Sequence, residues 1–140
     1  MVGKVKEFGH EHLLPLAFDF ADDGSCVNRD PKTLLLGPGI SDTEADEYVA
    51  NLVRWNGKSM YQAIEKCAWK EEGVGVSYIM TSGDMTVPLD YQKSMVEGIR
   101  VHGKEVETVE LETGHCPHVT MTKEVVDVVN GVVEKMKVKA

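Results

Sequence analysis

No apolar run in this 140-residue chain approaches the about 20 residues that cross a bilayer. The opening stretch Met1-Val2-Gly3-Lys4-Val5-Lys6-Glu7 is too polar for a signal peptide, which makes the cytoplasm the expected location. Basic residues are scarce beside acidic ones, 15 against 23, for a net charge of -8. Nucleic acids and anionic membranes are held mainly by lysine and arginine, so this imbalance argues against both as partners. Cysteines are few and odd in number: Cys26, Cys67 and Cys116 follow no framework spacing and read as free thiols of a reducing compartment. Fixed-period repeats and low-complexity segments are also missing. What is there is ordinary for a soluble globular domain, 42% hydrophobic and 27% charged. One domain of this length buries roughly two thirds of its unfolded surface.

The most informative stretch is Tyr78-Ile79-Met80-Thr81-Ser82-Gly83-Asp84-Met85-Thr86-Val87-Pro88, where a short apolar run ends in a Gly-Asp turn and a proline stands where a helix can open. Downstream, Val106-Glu107-Thr108-Val109-Glu110-Leu111 reads as a second strand that leads to Thr113-Gly114-His115. Two successive strand ends thus present a carboxylate and an imidazole. In open α/β sheets ligands collect beyond the carboxyl ends of the strands, which places both groups in one region. A carboxylate fixes the tautomer of an imidazole and stabilises its cation, so the pair suits proton transfer. Aspartate is also a favoured helix cap, and Asp84 taken alone fits that role as well. The paired placement favours chemistry.

Elsewhere, residues 1–18 read as an extended lead-in, and residues 19–32 as a solvated, turn-rich loop whose acids lack the register of a calcium site. Residues 33–36 fit a strand or a buried turn. Ser41-Asp42-Thr43-Glu44 is a capping box for a helix over about 42–56, with Ala45, Tyr48, Val49, Leu52 and Val53 as its buried stripe. Ser59-Met60-Tyr61-Gln62 repeats the device, with Tyr61, Ile64, Ala68 and Trp69 on an apolar face. Two such helices form either a lid or a packed hairpin. Trp55 and Trp69 read first as core and second as pocket wall. After the strand over 76–81 come helices over 88–101 and 122–137, the last carrying Val125, Val129, Val132, Val133 and Met136 down one face. The expected architecture is α/β, with few parallel strands flanked by helices and a helical lid segment. A lid-like part over 1–72 and a core part over 73–140 form one compact domain.

Tyr78 to Pro88, then Tyr91-Gln92, then Glu112-Thr113-Gly114-His115-Cys116-Pro117-His118 resemble the C-terminal end of a small α/β-hydrolase of the esterase or lactonase type. The resemblance is most specific over residues 74–135, while residues 1–70 resemble the variable lid before the acid strand. It implies that Asp84 is the acid and His115 the histidine of a Ser-His-Asp triad, acting on an ester, lactone or related small carbonyl compound. It also implies a G-x-S-x-G nucleophile elbow upstream, and these 140 residues contain no such motif.

Nucleophile candidates inside the chain are Ser77, which lies within a strand, Ser25 and Cys26 in the turn-rich loop, and Cys116 beside His115. His10 and His12, with His115-Cys116-Pro117-His118, offer nitrogen and sulfur donors, but one short cluster falls short of the two separated pairs of a structural zinc site. No metal and no cofactor is therefore expected. Three functions compete: a hydrolase, or a His-assisted dehydratase or isomerase; a non-catalytic ligand-binding or partner-binding module; and a metal binder. Parallel strands are normally covered on both faces and an open edge invites pairing. Self-association or association with another chain is accordingly expected.

Overall fold

The computed structural model describes residues 2–139. Its architecture is mixed α/β, built on two small open sheets with helices around them. The C-terminal sheet is the parallel pair β4 (Val76–Thr81) and β5 (Val106–Leu111), in register from Val76 opposite Val106 to Thr81 opposite Leu111. Between them runs α4 (Leu89–Arg100), which lays Val96 and Ile99 against Met80 and Val106. A parallel connection needs such a crossover, and the apolar spacing of α4 suits it to one sheet face. The last helix, α6 (Thr122–Lys139), stands over the opposite face and leaves a groove of about 430 Å³ lined by Ile79, Val128, Val132 and Met136.

The N-terminal half differs from the expectation in four places. Residues 2–17 are helical rather than extended: α1 (Val2–Glu7), a 3-10 turn at Glu11–Leu13, then α2 (Leu14–Ala17). Pro15 sits in the first turn of α2, where its missing amide costs nothing. The acid-rich loop is an antiparallel hairpin, β1 (Phe18–Phe20) against β2 (Ser25–Asn28). Gly24, at φ 84°, makes the turn, and Asp23 accepts the Ser25 amide at 2.8 Å. Two arginines, Arg29 and Arg54, each 3.2 Å from Asp19, neutralise one of the acids that made this stretch look solvated.

Of the two readings of residues 33–36, the turn holds rather than the strand. Lys32–Leu36 is one π-helical turn, begun by Asp30 accepting the Thr33 amide and closed by Gly37 at φ 67°. The capping box forms as expected, with Ser41 and Glu44 satisfying each other's amides, but α3 covers only Asp42–Ala50. Asn51 ends it early by bonding the Glu47 carbonyl. The chain then swings Trp55 onto Cys26 as β3 (Trp55–Asn56). The second expected helix is replaced by a 3-10 turn, Gly57–Tyr61. Ser59 does not cap a helix; its hydroxyl donates to the Asn56 carbonyl, and Met60 is pulled into a core with Val2, Phe18 and Cys26. The expected stripe finds no common surface: Ile64 stays 79% exposed and Tyr61 59%.

Between the halves, Leu36, Ala45 and Cys116 form a joining core. Leu36 is fully buried there.

Candidate active site

The site is built where β4 and β5 end. Beyond Thr81 the Ser82 amide bonds the Leu111 carbonyl and the Gly83 amide bonds that of Thr113, each at 3.0 Å. A Cβ on Gly83 would come within 3.0 Å of the Thr113 oxygen, so glycine permits this approach. The two strand-end loops are thereby welded together, and they deliver Asp84 and His115 to one point. His115 Nδ1 lies 2.8 Å from Asp84 Oδ2.

Asp84 is 6% exposed, and its two oxygens have separate duties. Oδ1 accepts the amides of Thr86 and Val87, both at 2.8 Å. Oδ2 accepts the Thr81 hydroxyl at 3.2 Å and faces the imidazole. The aspartate thus folds its own loop into a local turn instead of capping α4, which begins after Pro88 without a side-chain cap. Charge-assisted bonds of this kind hold a carboxylate in one orientation. Behind it, buried Gln92 donates to the carbonyls of Thr81 and Val87 and accepts the Thr81 amide. One amide side chain therefore ties the end of β4, the acid loop and α4 together.

The N-terminal half holds the same two loops from the other side. Thr86 donates its hydroxyl to the Leu34 carbonyl at 2.6 Å, and the Cys116 amide donates to the Leu35 carbonyl at 2.9 Å. Consecutive carbonyls of the Lys32–Leu36 turn so grip the acid loop and the histidine loop. Gly114 makes this possible, since a Cβ there would collide with the Leu36 oxygen. An apolar run read as a strand or turn held no sign of this role.

A cleft of about 360 Å³ opens beside His115, whose side chain remains 36% exposed. Its walls join the halves: Phe18, Leu35, Tyr48 and Trp55 on one side, Val87 and Cys116 on the other. Trp55 serves both roles weighed for it, packing on the N-terminal core and lining the cleft. Trp69 lies elsewhere, edge-on to His102.

Of the nucleophile candidates, Ser77 is exposed on β4 and lines the groove under α6, and Ser25 accepts a bond from Arg54. Cys26 is fully buried in the N-terminal core, where desolvation pushes its thiol pKa up. Cys116 reaches the cleft, with Sγ 3.4 Å from the Tyr48 hydroxyl. That hydrogen bond, with burial added, pushes the Tyr48 phenol up to about 12. As for metal donors, His10 Nδ1 pairs with the Tyr91 hydroxyl at 2.6 Å, and His118 is exposed on the short helix α5 (Pro117–Thr120). Among the described residues no three His, Cys, Asp or Glu side chains cluster as a metal site, and no helix is long and apolar enough to cross a membrane.

The chain is 31% identical over 86 residues, 61% of its length, to a protein of Phoma sp. named "Probable hydrolase R7". It spans about a third of that relative, 34% of its length. No family model matches the chain, and no solved structure matches it. Fold and similarity together define a small α/β domain distantly related to a protein named hydrolase.

Proposed function

We propose that the protein is α/β-hydrolase-like and acts on an ester, lactone or related small carbonyl compound, with His115 as general base and Asp84 as its orienting acid. The observation that carries this reading is the 2.8 Å contact of His115 Nδ1 with buried Asp84, on a ring that borders an apolar cleft. A carboxylate on Nδ1 leaves Nε2 as the nitrogen that exchanges a proton with the contents of the cleft, and it offsets the positive charge when that proton arrives. In hydrolysis Nε2 would take a proton from an attacking water as its oxygen bonds to the carbonyl carbon, then return it to the departing oxygen. A nucleophile outside the usual elbow, or a serine in another segment, would use the same base. The same proton transfer without water addition would serve a dehydratase or isomerase.

One observation favours a second reading. Neither Ser25 nor Ser77 lines the cleft, and the Cys116 thiol is engaged with Tyr48, which suits a module that binds a ligand or partner without turnover. Turnover of fluorogenic short-chain esters and lactones by the purified chain decides between them. The hydrolase reading expects activity that vanishes in a folded His115→Ala variant; equal rates in both would sink it.

The proposal extends to assembly. Among the described residues β4 pairs only with β5, so its other edge is open to a second copy or another chain. Light scattering is expected to give a mass above 15.5 kDa. A clean monomer would count against self-association.

A further inference from the structure

The cleft beside His115 also contains a polar group that the protein leaves unsatisfied. Asn28 closes β2, opposite Phe18, and lines the cleft with His115 and Cys116. Its side-chain Nδ2 is buried and has no hydrogen-bond partner among the described residues. An amide N–H withheld from water costs free energy until it meets an acceptor, which is why such groups are nearly always paired. What Asn28 lacks is an oxygen.

The surroundings restrict which oxygen that is. The cleft lining contains no lysine, arginine, aspartate or glutamate, and Phe18, Val27, Leu52 and Trp55 contribute apolar wall. An ion placed against such a wall would be desolvated without a counter-charge, so the lining suits a neutral molecule. Its other polar groups are largely engaged: the Thr86 hydroxyl with Leu34, His115 Nδ1 with Asp84, and Cys116 with Tyr48. A carbonyl oxygen only accepts, and it is the acceptor that an ester, lactone or related carbonyl compound carries.

We infer that Asn28 is the binding residue that receives the carbonyl oxygen of a neutral, largely apolar ligand in this cleft. It thereby selects a carbonyl compound over a molecule of the same shape that lacks the carbonyl. The inference rests on the reading of the cleft as a site for small carbonyl compounds and adds the residue that recognises the carbonyl.

The test uses chromanone and chroman, two molecules of one ring shape that differ by a ketone and that neither water nor a base can hydrolyse. Each is titrated into the isotope-labelled full chain and followed by NMR. Chromanone is expected to bind about fivefold to tenfold more tightly, the worth of one hydrogen bond to a buried donor. It is also expected to move the Asn28 side-chain amide proton signals, assigned through their own backbone, further downfield than chroman does at equal saturation, as a new hydrogen bond to a carbonyl requires. In Asn28→Leu, which keeps the size and loses the donor, the preference for the ketone should disappear. Equal wild-type affinities, an unmoved Asn28 amide, or a preference that survives in Asn28→Leu would each overturn the inference. The wild-type amide measurement stands even where the leucine variant fails to fold. Neither probe is turned over, so the two proposals fail separately. A chain that discriminates the pair but cleaves no ester or lactone loses the hydrolase reading and keeps this one. Esterase activity in a chain that binds both probes equally does the reverse.

Discussion

The two sheets of this protein are held together in opposite ways. The C-terminal pair β4 and β5 is regular, parallel and bridged by a helix that covers one face, and its order comes from repeated apolar contacts along that helix. The N-terminal sheet has strands of three, four and two residues, and much of its order comes from single polar groups: Arg54 on Asp19 and Ser25, Asn56 on the Lys58 amide, Asp23 on the Ser25 amide. Periodic packing leaves a trace in the sequence, whereas a polar clamp depends on which residues the fold brings near each other. The candidate site draws on both. Asp84 and His115 stand in the loops at the end of the regular sheet, and the cleft's outer wall and the grip on those loops come from the N-terminal half.

That division of labour can be tested, beginning where the effect is largest. Asp84→Asn removes the charge behind His115 while keeping the side chain's shape. Turnover is expected to fall by about 10³–10⁴-fold, the scale of losing the correct tautomer and its counter-charge. Steady-state rates on the best ester or lactone, beside a circular-dichroism check of folding, measure it; a loss below tenfold would detach the acid from the chemistry. At the junction, Gly114→Ala forces a methyl group into the Leu36 carbonyl and should cost about 3 kcal/mol, near the upper end of overpacking effects. Urea unfolding reads this as a lower midpoint, and an unchanged midpoint would mean the halves are not in close contact there.

The smallest effect concerns the seam between Tyr48 and Cys116. The folded phenol stands at about 12 against an ordinary 10.0, so folding favours its protonated form. The contribution is complete below pH 10 and is lost as pH rises from about 10 to about 12. Thermal melts across that window should show a decline that is shallower in Tyr48→Phe. Identical declines would mean the hydrogen bond to Cys116 does not hold the proton.

Legibility in the sequence follows the same line. The strands over 76–81 and 106–111 and the helix between them were readable because apolar residues recur at the period of each element, and Gly83 and Gly114 mark the turns that follow. That made the meeting of Asp84 and His115 foreseeable. The hairpin at Phe18–Phe20 and Ser25–Asn28 does alternate, but its acids suggested solvent, and the arginines that pair with Asp19 stand 10 and 35 positions away in the chain. The helix expected after Ser59 had the right spacing and no surface to meet it, and Gly57, pressed against Phe20 and Cys26, committed the segment to the N-terminal core. Capping signals describe how a helix would begin; they do not supply the partner that most helical stability requires. Asn28 carried no local signal, since its unpaired amide exists only once the cleft has formed.

The grip of the Lys32–Leu36 turn on both strand-end loops ties the surroundings of Asp84 and His115 to one piece of backbone. The Thr86 hydroxyl and the Cys116 amide let go of neighbouring carbonyls, so an excursion that lifts the turn frees both loops in a single event. The Cys116 amide thereby becomes a built-in reporter. Its rate of exchange with deuterated water would count how often the N-terminal half parts from the loops that carry Asp84 and His115, in a protein with no residue changed.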